Sequence, residues 1–193
     1  MKKSLLLTAA ILALASCETS HPGGMPAPQL TFAQFTPQTL NVQSATVSEA
    51  YEITNDPKDI SGQFVISPAE VVKRYAAQRY QASGAADGQF SILIEDARVH
   101  MREDKEKSKV LSSLDVGTDD IYELFLRLRV SPEPAGFNGR QATIIKMERS
   151  LVMPSSVSIA DREIRQTKFL EQLITDLDKK IQDVLDQTPA IRQ

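Results

Sequence analysis

Two segments of the chain alternate apolar and polar side chains with the period of a β-strand. Residues 121–130 are apolar at every even position, whereas their odd positions include Arg127 and Arg129. Residues 143–153 repeat the period, and a turn rich in Pro and Gly separates the two segments. The alternation predicts an antiparallel hairpin with one buried and one open face.

Two further segments have the composition of strands. Residues 90–99 form a nearly continuous apolar run, which predicts a strand with substantial burial. Residues 40–53 alternate but change parity near Ser44, which indicates a bulge or a late start of the strand. The adjacent acids Glu95 and Asp96 would point to opposite faces of a regular strand, and we therefore expect no paired carboxylate site there.

Two segments carry apolar side chains at helical spacing. The first begins with Ser67 as the N-cap and has Glu70 in the position of a capping box. It is predicted to run over residues 68–82, with Gly84 as the left-handed residue that closes it. The second segment, over residues 159–186, has one long stripe of seven apolar residues: Leu170, Leu173, Ile174, Leu177, Ile181, Val184 and Leu185.

Four strands with an apolar face and two helices with one apolar stripe each are most economically arranged in two layers. We expect an α+β fold, a two-layer β-α-β-β-β-α sandwich in which two helices cover one face of a four-stranded, mostly antiparallel sheet. A single domain over residues 36–188 would contain all six elements, and residues 189–193 would form a C-terminal tail.

The face of the sheet opposite the helices offers a candidate binding surface. It combines apolar with basic side chains, and its candidate residues are Phe125, Arg127, Arg129, Ile144 and Lys146. One interpretation is an ordinary twisted sheet face with scattered apolar residues and no partner. The other is a surface that binds a partner protein or an anionic amphiphile such as a phospholipid or lipopolysaccharide, whose head-group charge the three basic side chains would meet.

Residues 1–16 have the parts of a bacterial secretory signal peptide. Lys2 and Lys3 supply the positive charge, an apolar segment of 11 residues follows, and small residues precede Cys17. The apolar segment is too short to span a bilayer, which needs about 20 such residues. Residues 17–35, rich in Pro and Gly after the cysteine, are predicted to form a flexible tether.

The residues that end at the chain's only cysteine resemble the lipobox of bacterial lipoproteins: Leu14, Ala15, Ser16 and Cys17. In that class the cysteine is diacylated on sulfur, the signal is cut before it, and the new amine is acylated. The resemblance implies attachment to a membrane through Cys17, with an ordinary signal peptide as the alternative. Glu18 resembles the residue found in lipoproteins sorted to the outer membrane, which implies a location on its periplasmic face.

Charge and missing motifs narrow the classes of function. Cleavage before Cys17 would remove two lysines, so that the formal net charge of −3 becomes −5, and an acidic chain is a poor general ligand for nucleic acid. The sequence has no phosphate-binding glycine loop, no nucleophile elbow and no helical His-Glu-x-x-His motif. We therefore expect no catalytic residue, no metal, no cofactor and no enzymatic activity.

The order of these elements resembles that of known envelope lipoproteins. The arrangement resembles that of lipopolysaccharide-assembly lipoproteins and of the auxiliary lipoproteins of ABC-type transporters. It consists of a lipobox, a tether, a β-α-β unit, a hairpin containing the strand that starts with Ile121, Tyr122 and Glu123, and a long C-terminal helix. Residues 67–99 look still more like an uncharacterised family of proteobacterial outer-membrane lipoproteins. The likeness is one of pattern and covers about residues 40–186.

This resemblance implies a non-enzymatic function. The chain would be a lipid-anchored binding subunit that assists an envelope assembly or a lipid or lipopolysaccharide transport system. Its partner would be an envelope protein, with an anionic lipid as a second candidate. A structural envelope lipoprotein and an enzyme acting on envelope substrates are the alternative functions.

Overall fold

Six strands and two α-helices are present in the part of the chain that the structure describes. The computed structural model covers residues 29–52, 56–84, 87–104, 119–136 and 142–192. In chain order the elements are β1 (Gln38–Leu40), β2 (Ser44–Glu49), α1 (Pro68–Arg79), β3 (Tyr80–Ala82), β4 (Gln89–Glu103), β5 (Asp119–Glu133), β6 (Thr143–Pro154) and α2 (Ile159–Asp186), with short 3-10 helices at Ser61–Gln63 and Pro189–Ile191. The predicted signal peptide and Cys17 lie outside the described residues.

The main sheet has four strands in the order β2-β4-β5-β6. Strands β4, β5 and β6 are antiparallel to their neighbours within this set, whereas β2 is parallel to β4. The parallel pair follows from the connection through α1, since a crossover is needed to bring two parallel strands together. The predicted α+β sandwich, with two helices on a four-stranded, mostly antiparallel sheet, is confirmed.

One face of the sheet and the two helical stripes form a single core. The five even positions of β5 from Tyr122 to Val130 are all buried, and so are the seven stripe residues of α2. On the same face, β4 contributes buried Phe90, Ile92 and Ile94. Helix α1 packs against β2 and β4, and α2 packs against β5 and β6. Both helices therefore cover the apolar face, and no helix or strand of the described residues covers the other face.

The parity change near Ser44 separates two strands that belong to different sheets. Strand β1 pairs in parallel with β3, and Gln38 lies opposite Tyr80. Strand β2 joins the main sheet instead. Between them the chain turns at Val42, whose N–H donates to the carbonyl oxygen of Leu40 at 2.9 Å. The pattern predicted one irregular strand here, and the structure resolves the irregularity as a change of partner.

Helix α1 begins as predicted but ends three residues early. The Oγ of Ser67 accepts from the N–H of Glu70 at 3.3 Å, while the Glu70 carboxylate pairs with Arg74 instead of returning to the cap. Tyr80 is already extended, with φ −115° and ψ 119°, because it begins β3. Gly84 has a left-handed φ of 70°, but it lies in the turn after β3. Its predicted role of closing the helix is therefore wrong.

A polar network joins the two helices to the N-terminal segment. The hydroxyl of Tyr75 donates to Oδ1 of Asp178 at 2.5 Å and lies 3.0 Å from the hydroxyl of Tyr80. The Nε of Arg79 donates to the same Asp178 oxygen at 2.9 Å, and its Nη1 donates to the carbonyl oxygen of Thr36. Burial raises the pKa of both tyrosines, that of Tyr80 to about 12. Both hydroxyls therefore stay protonated and act as donors within the network.

Both ends of the described chain pack into the core. Phe32 is buried, and the rings of Phe32 and Phe35 contact Tyr75 edge-on at centroid distances of 6.1 and 5.3 Å. At the other end Ile191 is fully buried, and its carbonyl oxygen accepts from the N–H of Asn41 at 2.8 Å. The N-terminal segment therefore enters the domain beside α1, on the side of the sheet that the helices cover.

Candidate functional site: the open face of the sheet

The five predicted binding residues lie together on the face of the main sheet that neither α1 nor α2 covers. Phe125, Arg127 and Arg129 occupy odd positions of β5, opposite in direction to its buried even positions. The register between β5 and β6 places Lys146 beside Arg127 and Ile144 beside Arg129. We define the open face as ten outward side chains in the middle of β4, β5 and β6: Glu95, Asp96, Arg98, His100, Phe125, Arg127, Arg129, Ile144, Lys146 and Glu148.

A bulge in β4 turns two carboxylates toward the open face. The register with β5 shifts between Ile94 and Asp96, and Ile94 and Ala97 on either side of the shift are both fully buried. Glu95 and Asp96 therefore both point outward, and the prediction that they face opposite sides of the sheet is wrong. A bulge inserts one extra residue into one strand. Its signal in the sequence is the change of apolar parity from Ile92 and Ile94 to Ala97 and Val99, which the apolar Leu93 obscures.

Glu95 lies between two of the predicted basic residues. Its Oε2 is 2.7 Å from Nε of Arg127, and its Oε1 is 2.6 Å from Nη2 of Arg129. The hydrogen bond from Arg129 and the two positive charges hold the pKa of Glu95 below its ordinary value. The carboxylate therefore offsets one of the two arginine charges, while each arginine side chain remains 48% exposed.

Phe125 is flanked by two side chains of β4. The guanidinium carbon of Arg98 lies 5.1 Å from the ring centroid, within the range of a cation–π contact, and the His100 ring lies 5.6 Å away in an edge-on arrangement. Nη1 of Arg98 is also 3.5 Å from Oδ2 of Asp96. A shallow pocket of about 190 Å³ opens next to the Phe125 ring, between β4 and Lys146. The ring thus forms one wall of a small polar depression.

Lys146 and Ile144 form the exposed edge of the open face on β6. Ile144 is 36% exposed, and Lys146 has no acidic side chain within ion-pair distance among the described residues. The open face as a whole carries four basic and three acidic side chains. It is therefore a surface of mixed charge, because the acids that the β4 bulge turns outward offset much of the basic charge that the sequence pattern places there.

No protein-family model matches the chain, and no curated protein matches it. Among solved structures, the chain is similar to a minor lipoprotein from Acinetobacter baumannii. The two superpose with a TM-score of 0.38 at 11% identity, covering 78% of this chain and 96% of that chain. A likeness at this level assigns neither a fold family nor a function.

Within the described ranges of the chain, the other candidate groups either cap helices or lie apart from one another. Ser67 and Ser158, the two serines predicted to be helix caps, both accept from backbone N–H groups in the first turns of α1 and α2. No group of three or more His, Cys, Asp or Glu side chains in these ranges is placed to bind a metal ion. Neither α1 nor α2 combines the length and the apolar character that crossing a membrane requires.

Proposed function

We propose that the chain is a non-enzymatic lipoprotein, held by Cys17 at the periplasmic face of the outer membrane, that binds an envelope protein through its open face. It would serve as an accessory subunit of an envelope assembly or of a lipid or lipopolysaccharide transport system. The observation that carries the proposal is the position of the open face relative to the N-terminal segment. Phe32 and Phe35 pack beside α1, so a tether would leave the domain on the helix side.

This arrangement supports binding at a distance from the point of attachment. The 12 residues from Glu18 to Gln29 would span at most about 40 Å if fully extended. A domain held at its helix side can turn its open face away from the lipid head groups, toward a partner within that reach. Stable attachment takes more than one acyl chain, which the lipobox resemblance would supply at Cys17.

The mixed charge of the open face favours a protein over an anionic lipid as the partner. An anionic head group approaching Arg127 or Arg129 would compete with the Glu95 carboxylate that both already contact. A protein surface can pair with acids and bases together and can also cover Phe125 and Ile144, and protein interfaces combine these contact types.

In-cell crosslinking tests the binding role. A photoreactive amino acid at Phe125, on the open face and away from the β6 edge, is expected to capture an envelope protein, and the same amino acid at the exposed Ile159 of α2 serves as the control on the helix side. Charge reversal of Arg127, Arg129 and Lys146 together should abolish the capture. Charge reversal surrounds Glu95 with acids and could unfold the domain, so a matched variant carries Gln at the three positions. Circular dichroism of both variants shows whether each one is folded.

The outcomes distinguish the candidate partners. Unchanged capture by the reversed and the Gln variants would refute the binding role of the open face. Capture of lipid without protein would replace the protein partner by an anionic lipid.

Lipid attachment has its own test. Cys17→Ala should release the protein from the membrane fraction, as judged by fractionation and by loss of labelling with a fatty-acid analogue. A Cys17→Ala protein that stays fully bound to membranes would refute the anchor and leave the binding test unaffected.

A further inference from the structure

The outer edge of β6 is a long strand edge with no strand paired to it within the described residues. Strand β6 pairs with β5 over residues 143–154 without a register shift, and its only proline is the last residue, Pro154. Proteins commonly protect sheet edges with short strands, internal prolines, bulges, charged side chains or a covering helix or loop. The opposite edge is short, since β2 has six residues. The β6 edge has 12 residues without an internal proline or a bulge, and its protection consists of charged side chains such as Lys146 and Glu148.

An open groove runs along this edge, between β6 and α2. One part of it has a volume of about 550 Å³ and is lined on the β6 side by every residue from Lys146 to Arg149. A second part, of about 300 Å³, is lined by every residue from Thr143 to Lys146. Successive side chains of a strand point to opposite faces, so a groove that touches all of them follows the backbone edge. A strand placed in the groove would form main-chain hydrogen bonds with β6.

The charged side chains at the centre of β6 are complementary to those of a second β6 strand that runs antiparallel to it. Lys146 and Glu148 lie on the open face on either side of Met147, and neither has an ion-pair partner among the described residues. If two β6 strands pair antiparallel about a two-fold axis at Met147, each Lys146 lies opposite Glu148 of the second copy. Centring the pair on Lys146 or on Glu148 would place like charges opposite each other, which is unfavourable.

We propose that two copies of the chain join through their β6 edges into one continuous eight-stranded sheet, with the two-fold axis at Met147. The axis is perpendicular to the sheet, so both open faces lie on one side and both sets of helices on the other. Both N-terminal segments also leave on the helix side, which allows the two chains to attach to one membrane. The dimer goes beyond the proposed function and does not depend on lipidation of Cys17.

Sedimentation of the full-length protein tests the dimer. The protein is extracted in mild detergent, and its mass is measured in a solvent that matches the density of the detergent. The wild type is expected to be dimeric. Lys146→Glu should raise the dimer dissociation constant by about tenfold or more, because it replaces two attractive cross-strand pairs by two repulsive ones. Adding Glu148→Lys should restore dimerisation, since the swapped charges are again complementary. Lys168→Glu, at an exposed lysine of α2 outside the groove, is the matched control.

A disulfide test locates the interface. Two differently tagged copies are co-expressed, one with Lys146→Cys and one with Glu148→Cys, and a disulfide between them is expected because directly opposed residues have the required Cα separation. Two copies that both carry Ile144→Cys should stay unlinked, since these positions lie well apart in the proposed register. The unmodified chain controls for reaction at Cys17.

Three results would overturn the proposal. They are a monomeric wild type at micromolar concentration, a dimer that Lys146→Glu does not weaken, and a dimer in which the opposed cysteines fail to link. A strand from another protein in the groove would give a monomer whose Lys146→Cys links to that protein.

Discussion

The substitution Tyr75→Phe removes the hydroxyl at the centre of the network between the two helices, and with it the bond to Asp178 and the contact with Tyr80. Tyr75 is fully buried, and its hydroxyl donates to Oδ1 of Asp178 at 2.5 Å. Phenylalanine keeps the ring and its edge-on contacts with Phe32 and Phe35 but removes the donor. Any loss of stability therefore reports on the polar contact rather than on packing.

The expected loss follows from the partners that remain. A hydrogen bond to a charged group contributes about 1.5–3 kcal/mol to stability. Asp178 keeps the bond from Nε of Arg79 at 2.9 Å and is 16% exposed, so it is not left without a partner. We therefore expect Tyr75→Phe to lower the free energy of unfolding by about 2 kcal/mol. For a domain of this size, that loss lowers Tm by about 4–8 °C.

Urea unfolding followed by circular dichroism measures this loss, and two comparisons make the result specific. Tyr80→Phe removes only neutral contacts, to Tyr75 at 3.0 Å and Gln182 at 3.3 Å, and should cost about 1 kcal/mol. In an Asp178→Ala background, Tyr75→Phe should cost at least about 1 kcal/mol less than in the wild type. If Tyr75→Phe is no more damaging than Tyr80→Phe, or costs the same in both backgrounds, the bond to Asp178 does not have the stabilising role assigned to it.

Three further predictions concern pH, backbone geometry and the long helix. Burial raises the pKa of Tyr80 to about 12 from 10.0, so the unfolded chain loses this proton first, and stability should fall by about 2 kcal/mol from this residue between pH 10 and 12. Tyr80→Phe should flatten that fall in urea titrations, and an unchanged slope would contradict it. Gly88→Ala should cost at least about 2 kcal/mol in the same assay, because φ is 135° and a Cβ would lie 2.7 Å from the carbonyl oxygen of Glu133. Gly84→Ala, with φ 70° and open space around it, should cost about 1 kcal/mol, and equal costs would refute the steric argument. Truncation before Leu170 removes seven buried stripe residues at about 1.5–3 kcal/mol each and should give insoluble protein, so soluble folded material would contradict the architecture.

The elements whose signals are local could be predicted from the sequence. Helix α2 has the predicted bounds, Ile159–Asp186. Its serine cap marks where it starts, and its uninterrupted apolar stripe marks its buried side. The β5–β6 hairpin follows in the same way from strict alternation on two neighbouring segments. The small sheet of β1 and β3 could not be predicted, since it pairs Gln38 with Tyr80 and neither segment has a strand pattern long enough to be recognised.

The candidate site was predictable only in part, because some of its features depend on how the strands pair rather than on a local pattern. The parity of β5 places Arg127 and Arg129 on the open face, which is where the structure has them. Glu95 could not be recognised as their partner because Leu93 obscures the change of parity that marks the bulge in β4. The groove beside β6 depends on the order of the strands, which periodicity does not determine.

The packing of the two chain ends has a mechanical consequence. A force that pulls on the N-terminal segment would act first on the ring contacts of Phe32 and Phe35 and then on β1. Strand β1 pairs in parallel with β3, and its Leu40 forms an antiparallel bridge with Arg192. None of these contacts belongs to the four-stranded sheet. Force applied through the N-terminal segment would thus load these ring contacts and the two-stranded sheet first, and the four-stranded sheet that carries the open face last.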